Sequence, residues 1–133
     1  MRLLLDTNIF LEVILEQERS DEVKSLLERI KEHQFLISDY SLHSIGLLLF
    51  QRKQHDVFSL FVKDMLLNAR MVVTSLASED MAAVVDAARR FSLDFDDAYQ
   101  YATAEKFDLV LVSFDSDFDR TEHGRTTPDR VSS

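Results

Sequence analysis

The sequence predicts an α/β protein in which helices pack on both faces of a mostly parallel sheet of four to five strands. Two observations indicate this fold class. Short apolar runs alternate along the chain with longer segments of helical periodicity, and this alternation favours parallel strands joined by crossover helices. The short runs are also continuously apolar, as expected for strands that are covered on both faces. No repeat or linker interrupts the pattern, so we expect a single domain over residues 1–133.

The composition supports a folded protein with a substantial core. Hydrophobic residues make up 46% of the 133 residues and charged residues 29%, a mixture that excludes a disordered chain. Cysteine is absent, which excludes disulfide frameworks, thiolate metal sites and cysteine nucleophiles. No apolar stretch approaches the ~20 residues that span a bilayer, and Asp6 interrupts the first apolar run too early for a signal peptide. We therefore expect a cytoplasmic protein without membrane contact.

The net charge limits how this chain could meet a nucleic acid. It carries 24 acidic and 15 basic residues, for a formal net charge of −9. Such a chain gains no long-range attraction to phosphates. Binding to RNA or DNA would therefore need local compensation, for which bound divalent cations or a basic partner are candidates.

Four short apolar runs are predicted to be the strands. The first is closed by the polar triplet Asp6-Thr7-Asn8, a composition typical of a strand end. The predicted strands are residues 2–5, 35–38, 71–74 and 109–112. A short fifth strand near Val131 is also considered, within a segment from about residue 120 to 133 that otherwise reads as a polar loop or tail.

Two helices are predicted in each interval between successive strands. In the second helix, which opens at Ser20, the apolar residues Val23, Leu26 and Ile30 recur with the helical period. The third helix is apolar on most of its sides, which indicates burial within the fold or at a subunit interface. The predicted helices cover residues 9–16, 20–30, 41–52, 57–67, 78–90 and 94–106.

Acidic residues follow two of the predicted strands. Asp6 comes directly after the first strand and Asp115 shortly after the last, and ligands of parallel α/β sheets bind at such strand ends. Asp117 lies two residues further on, and Asp97 lies in the first turn of the helix that leads into the last strand. Carboxylates gathered at one edge repel one another unless a cation separates them, and oxygen-only ligands suit Mg²⁺ or Mn²⁺. Such an ion can activate water for the cleavage of a phosphodiester.

Each of these acids also has a purely structural interpretation. Asp6 could cap the helix that follows it, and Asp97 could stabilise the start of its own helix through the helix dipole. Asp115, Asp117 and Asp119 could be ordinary turn residues. Considered one at a time, these residues leave both interpretations open.

Taken together and in order, three motifs resemble the PIN-domain family of nucleases, which includes the bacterial VapC-type toxins. The motifs are Leu5-Asp6-Thr7-Asn8, Asp97-Ala98 and Val112-Ser113-Phe114-Asp115-Ser116-Asp117-Phe118. The resemblance extends over nearly the whole chain and includes Thr127-Pro128 near its end. It implies a three-layer α/β/α fold and the hydrolysis of RNA with the help of Mg²⁺ or Mn²⁺.

The resemblance also assigns roles to individual residues. Asp6, Asp97 and Asp115 match the catalytic, metal-binding aspartates of the family, and Asp117 matches a further acid of the metal site. The resemblance also implies supporting roles for Asn8, which would orient Asp6, for Ser113, and for Ser44, which is described next.

Ser44 stands where many active members of the family carry a glutamate, at the start of the helix after the second strand. A hydroxyl is a weaker partner for a hard cation than a carboxylate, so this difference should weaken metal binding or change the number of metals. Asp39 lies five residues earlier and is expected to point elsewhere. The neighbouring His43 is interpreted as a packing residue rather than as a metal ligand.

Two functions follow from these observations. The first is a metal-dependent endoribonuclease that acts on RNA, forms the toxin of a toxin–antitoxin pair and is neutralised by a cognate antitoxin protein. The alternative is a catalytically weakened or inactive PIN-fold module that acts through protein or RNA binding. In either case the apolar helices between residues 41 and 67 could form a homodimer face.

Overall fold

A computed structural model describes residues 1–131 of the chain and contains a parallel sheet. The strands of the described chain are β1 (Arg2–Leu5), β2 (Gln34–Ser38), β3 (Val72–Thr74) and β4 (Val110–Val112). Their spatial order is β3–β2–β1–β4, and every neighbouring pair is parallel. The four predicted strands are therefore confirmed. The sheet was predicted to be mostly parallel, and all of its described strand pairs are parallel.

Helices fill each interval between successive strands, as predicted. They are α1 (Thr7–Ile14), α2 (Ser20–Leu27), α3 (Asp39–Gln51), α4 (His55–Phe61), α5 (Met81–Phe91) and α6 (Phe95–Phe107). A π-helical segment, Val62–Asn68, continues α4, and a 3₁₀ turn, Ser78–Asp80, precedes α5. Among the described residues, none of these helices is both long and apolar enough to cross a membrane.

Several helix boundaries differ from the sequence pattern, and those of α3 and α2 are two examples. Helix α3 begins at Asp39 rather than Ser41, because Ser38 at the end of β2 caps it by accepting a hydrogen bond from the Ser41 amide at 3.0 Å. Helix α2 ends at Leu27, although the apolar pattern continues to Ile30, and the Ile30 side chain is exposed.

The sheet of the described chain has four strands, and the fifth strand considered near Val131 does not form. Val131 follows a 3₁₀ turn, Pro128–Arg130, and is not part of a strand. Its side chain is buried in the first apolar cluster described below. The approach to a fifth strand is a single bridge at Thr126, whose amide donates to Leu111 O at 2.9 Å. Pro128 has no amide hydrogen with which to extend this ladder. Residues 132 and 133 lie outside the described part of the chain.

Two apolar clusters cover the two faces of the sheet and define its three layers. Successive residues of a strand point to opposite faces, so Leu3 and Leu5 enter one cluster while Leu4 enters the other. The first cluster includes buried residues of the helices before β3, namely Ile9, Phe10, Val23, Leu26, Ile45, Leu49 and Phe61. The second includes Val84 and Ala87 of α5 and Ala98 and Ala102 of α6. The fold is thus an α/β/α sandwich.

Candidate metal centre

The carboxyl ends of β1 and β4 bring the first and last predicted acids to the same edge of the sheet. Asp6 directly follows β1, and Asp115 follows β4 by three residues. The two strands are parallel neighbours, with Leu5 in register with Val112. The direction of the chain across the sheet also reverses at this pair, which is where open α/β sheets form ligand crevices.

Asp6 is buried and is held by hydrogen bonds at both carboxylate oxygens. Its Oδ1 accepts from the Thr7 amide and from Gln100 Nε2, each at 2.8 Å. Its Oδ2 accepts from Ser113 Oγ at 2.7 Å and, at 3.4 Å, from Asn8 Nδ2. Burial raises the pKa of Asp6, while the bonds from Gln100, Ser113 and Thr7 act to lower it. Asp6 caps α1, as its structural interpretation predicts, and it also lines the cleft described below.

Asn8 and Ser113 connect the ends of the two strands. Asn8 Nδ2 donates to Ser113 Oγ at 3.2 Å, and Asn8 Oδ1 accepts from the Phe114 amide at 3.2 Å. Ser113 Oγ also accepts from the Asp115 amide at 3.0 Å. These bonds fix the backbone on which Asp6 and Asp115 are presented.

Asp97 belongs to two groups of neighbouring acids. One oxygen of each of Asp97, Asp115 and Asp117 lies within 4.8 Å of the others, and the same is true of Asp94, Asp96 and Asp97. Burial raises the pKa of Asp97 to about 8, and the hydrogen bond to Asp94 and the charge of Asp115 add to this effect. The metal-free site therefore favours a proton on Asp97 near neutral pH.

The turn after β4 gives Asp115 and Asp117 structural contacts as well. Asp115 Oδ1 accepts from the Asp117 amide at 2.8 Å, and Asp117 Oδ1 accepts from Arg120 Nη1 at 3.0 Å. Asp119 pairs instead with Arg125. The turn interpretation thus describes part of what these acids do.

A cleft of about 230 Å³ opens at this edge of the sheet. Its lining residues are Asp6, Thr7, Asn8, Leu11, Tyr40, Ser44, Asp96, Asp97 and Asp115. Of the residues singled out in the sequence, Ser113 lies buried behind Asp6. Asp117 does not line the cleft, but one of its oxygens lies within 4.8 Å of oxygens of Asp97 and Asp115. A larger cleft of about 360 Å³ lies along the outer edge of β4, but it is lined by neither these acids nor Ser44.

Sequence reasoning missed three contributors to this region. Gln100 is buried and donates through Nε2 to both Asp6 and Ser41, the latter at 2.7 Å. Ser41 also shares a 2.8 Å hydrogen bond with Thr7. Asp96 lines the cleft although no motif assigned it a role. Their spacing could have identified Gln100 and Ser41. Gln100 follows Asp97 by three residues and Ser41 precedes Ser44 by three, so each lies on the same helix face as a residue already singled out.

The donor set of the cleft fits a hard divalent cation. The converging ligand atoms are carboxylate oxygens, which Mg²⁺ and Mn²⁺ prefer. Gln100 Oε1 is buried and has no hydrogen-bond partner among the described residues, so the region holds a further unsatisfied oxygen. His43 is exposed and does not line the cleft, and Asp39 is bonded to the Tyr99 hydroxyl and the Tyr40 amide.

The fold and the cleft define a class of protein: a parallel α/β/α sandwich with aspartates converging where the strand order reverses. The family model of the PIN domain matches residues 3–124, so the chain belongs to the PIN-domain family. No curated protein matches the sequence.

Solved structures share this fold at low sequence identity. A toxin–antitoxin complex from Klebsiella pneumoniae contains a chain with a TM-score of 0.72 and 23% identity, covering 95% of this chain and 97% of that one. VapC20 of Mycobacterium tuberculosis, a sarcin-ricin-loop-cleaving toxin, has a TM-score of 0.77 and 19% identity over 95% and 99% of the two chains. VapBC2 of Rickettsia felis, bound to a DNA fragment from its promoter, has a TM-score of 0.76 and 15% identity over 95% and 97%.

Proposed function

We propose that the protein is a Mg²⁺- or Mn²⁺-dependent endoribonuclease that hydrolyses RNA phosphodiester bonds as the toxin of a toxin–antitoxin pair. The observation that carries this proposal is the convergence of Asp6, Asp97 and Asp115 on one cleft in a PIN-domain protein. The structural relatives include toxins, one of them a toxin named for cleaving the sarcin-ricin loop, and this supports the choice of RNA.

In this proposal four aspartates hold the metal: Asp6, Asp97, Asp115 and Asp117. A bound divalent ion would supply an activated water and stabilise the charge that develops on the phosphoryl oxygens. The protein's own contribution is to hold these carboxylates in position. Ser113, Asn8 and Gln100 hold Asp6 in place, and Asp97 would release its proton on binding the cation.

Phe95, which is exposed next to the cleft residue Asp96, would give RNA bases an aromatic surface to stack on. Phe95 is 60% exposed at the start of α6, and its ring centroid lies 6.0 Å from that of Tyr99. The Tyr99 ring lies 6.0 Å from that of Tyr40, which lines the cleft. Stacking on such rings requires unpaired bases, so single-stranded RNA is the favoured substrate. Stacking would also supply affinity for RNA that a protein with a net charge of −9 does not gain from long-range electrostatics.

We further propose that the protein works in the cytoplasm with a cognate antitoxin and as a homodimer. Relatives of the same fold occur in toxin–antitoxin complexes, which supports the first partner. Leu47 and Phe50 of α3 and Leu60 of α4 are about half exposed, an arrangement that supports a subunit interface on these helices. Sedimentation equilibrium of the purified chain should show a dimer at micromolar concentration, and a monomer there contradicts this part of the proposal.

The test of the activity is cleavage of a pool of single-stranded and structured RNAs with Mn²⁺ or Mg²⁺. Wild-type protein should cleave, and Asp6→Asn, Asp115→Asn or a chelator should abolish cleavage. Asp119→Asn, which removes an acid outside the cleft from the same turn, should retain it. Circular dichroism of each variant shows whether a loss of cleavage reflects a loss of fold.

The alternative function, a catalytically weakened or inactive PIN-fold module, is supported by Ser44. This neutral side chain lines the cleft where the family resemblance places a glutamate. A PIN module without activity would act through binding to protein or RNA. Folded wild-type protein that neither cleaves RNA nor binds Mn²⁺ would favour this alternative over the nuclease.

A further inference from the structure

Helices α3 and α6 face each other across the cleft. Gln100 of α6 donates to Ser41 of α3 at 2.7 Å and so fixes these two turns against each other. Ser44 lies one turn after Ser41, and Asp96 lies one turn before Gln100. Both Ser44 and Asp96 line the cleft, so the neutral hydroxyl and the unassigned carboxylate share the same opening.

Asp96 is connected to the acids of the proposed metal site. One of its oxygens lies within 4.8 Å of an oxygen of Asp97, and Asp97 stands in the same relation to Asp115 and Asp117. Asp96 is only partly exposed, whereas Asp94, the other member of its group, is exposed and does not line the cleft. The cleft therefore holds four carboxylates: those of Asp6, Asp96, Asp97 and Asp115.

We propose that Asp96 supplies the metal site with the carboxylate that Ser44 does not provide. The inference rests on the proposed function, since it concerns the same cation. Ser44 of α3 and Asp96 of α6 line the same cleft, so a carboxylate on α6 would serve in place of one on α3. The total negative charge around the cation is then that of a site with a glutamate at position 44.

A simpler role for Asp96 is to stabilise the start of α6 through the helix dipole. Asp94 and Asp97 also lie at this helix end, so an acid there needs no metal to explain it. The two roles differ in one measurable respect. A helix-start role predicts that removing the charge of Asp96 leaves Mn²⁺ affinity unchanged.

The test is isothermal titration of the metal-stripped protein with Mn²⁺. Asp96→Asn should weaken Mn²⁺ binding by about tenfold or more, a loss typical of altered metal-site partners. The double variant Ser44→Glu with Asp96→Asn should recover most of the wild-type affinity. Asp86→Asn, an exposed acid on α5 that pairs with Arg90, changes the net charge equally and should bind as the wild type does.

Thermal unfolding in the presence of chelator identifies any variant that has lost its fold. Asp96→Asn that is folded and binds Mn²⁺ with wild-type affinity overturns the inference, while the wild-type binding still supports the proposed function. A double variant that stays as weak as Asp96→Asn overturns the equivalence of the two positions. Folded wild-type protein that does not bind Mn²⁺ overturns both the inference and the proposed metal-dependent function.

Discussion

At the scale of single residues, the Ser113 hydroxyl contributes more contacts than its size suggests. It donates to Asp6 Oδ2 and accepts from the Asp115 amide and from Asn8 Nδ2. It is completely buried, so water cannot replace these bonds directly. One small side chain therefore holds together two of the aspartates proposed as ligands.

Ser113→Ala should lower the free energy of unfolding by about 1–3 kcal/mol, because it leaves buried polar atoms without their partner. Urea denaturation followed by circular dichroism measures this change. Ser116→Ala, an exposed serine in the adjoining turn, is the matched control and should change stability little. Equal stability of the two variants would show that Asp6 finds another donor.

Asp97 should make the metal-free protein less stable at neutral pH than in mild acid. Its pKa of about 8 in the folded protein lies above its ordinary value of 3.8, because burial and neighbouring acids disfavour the charge. The stability that this group contributes is thus complete below about pH 4 and is lost as the pH rises from 3.8 towards 8.

Asp97→Asn should accordingly raise the melting temperature of chelator-treated protein at pH 7.5 but not at pH 4. The same variant should lose the further stabilisation that Mn²⁺ gives to the wild type, since a ligand is missing. Asp86→Asn again controls for the change in net charge. A melting temperature that falls at pH 7.5 in the Asp97 variant would mean that the carboxylate is stabilised in the metal-free fold.

At the scale of elements, helix α6 concentrates the proposed functions in its first two turns. Phe95 is exposed beside the cleft, Asp96 and Asp97 line it, and Gln100 bonds to Asp6. Its opposite side packs into the second core cluster through Ala98 and Ala102. Small alanines let the helix lie close to the sheet, and this brings its acids to the strand ends.

Phe95→Ala should weaken the binding of single-stranded RNA by about tenfold, the loss of one stacked base, while Mn²⁺ affinity stays the same. Fluorescence anisotropy with a labelled oligonucleotide and the Asp6→Asn protein, which does not cleave in our proposal, allows the measurement. Val85→Ala removes an exposed apolar side chain from α5 and serves as the control. Unchanged RNA affinity in the Phe95 variant would exclude a stacking role.

The elements show what sequence patterns can and cannot predict here. Continuous apolar runs predicted all four strands, because a strand covered on both faces leaves a local signature. The fifth strand considered near Val131 does not form, because the Val131 side chain packs into the core and Pro128 lacks an amide hydrogen for the ladder. Gln100 was missed because its partners Asp6 and Ser41 lie 94 and 59 residues away in the sequence. Asp96 was missed because an acid in the first turn of a helix is already explained by the helix dipole.

At the scale of the whole molecule, the two apolar clusters share one sheet. Leu4 packs on one side and its neighbours Leu3 and Leu5 on the other, so that neither layer of helices has a core without the strands. We therefore expect both layers to unfold together. Whether the chain acts as the single domain predicted from its sequence is open to a direct test.

Urea unfolding should follow one transition, with the same midpoint by far-ultraviolet circular dichroism and by tyrosine fluorescence. Tyrosine is a suitable probe because the chain has three tyrosines and no tryptophan. Tyr40, Tyr99 and Tyr101 lie near the second cluster, whereas circular dichroism reports on all helices. Separate midpoints would indicate two units that unfold independently.

The position of β1 between β2 and β4 has a consequence for how the protein is made. Although β1 and β4 are neighbours in the sheet, Ser113, which holds Asp6, is synthesised 107 residues after it. A nascent or prematurely terminated chain that lacks β4 has no partner for that side of β1 and no assembled acidic cleft. If the protein is a ribonuclease, it therefore becomes able to cleave RNA only after β4 has been synthesised and has paired with β1.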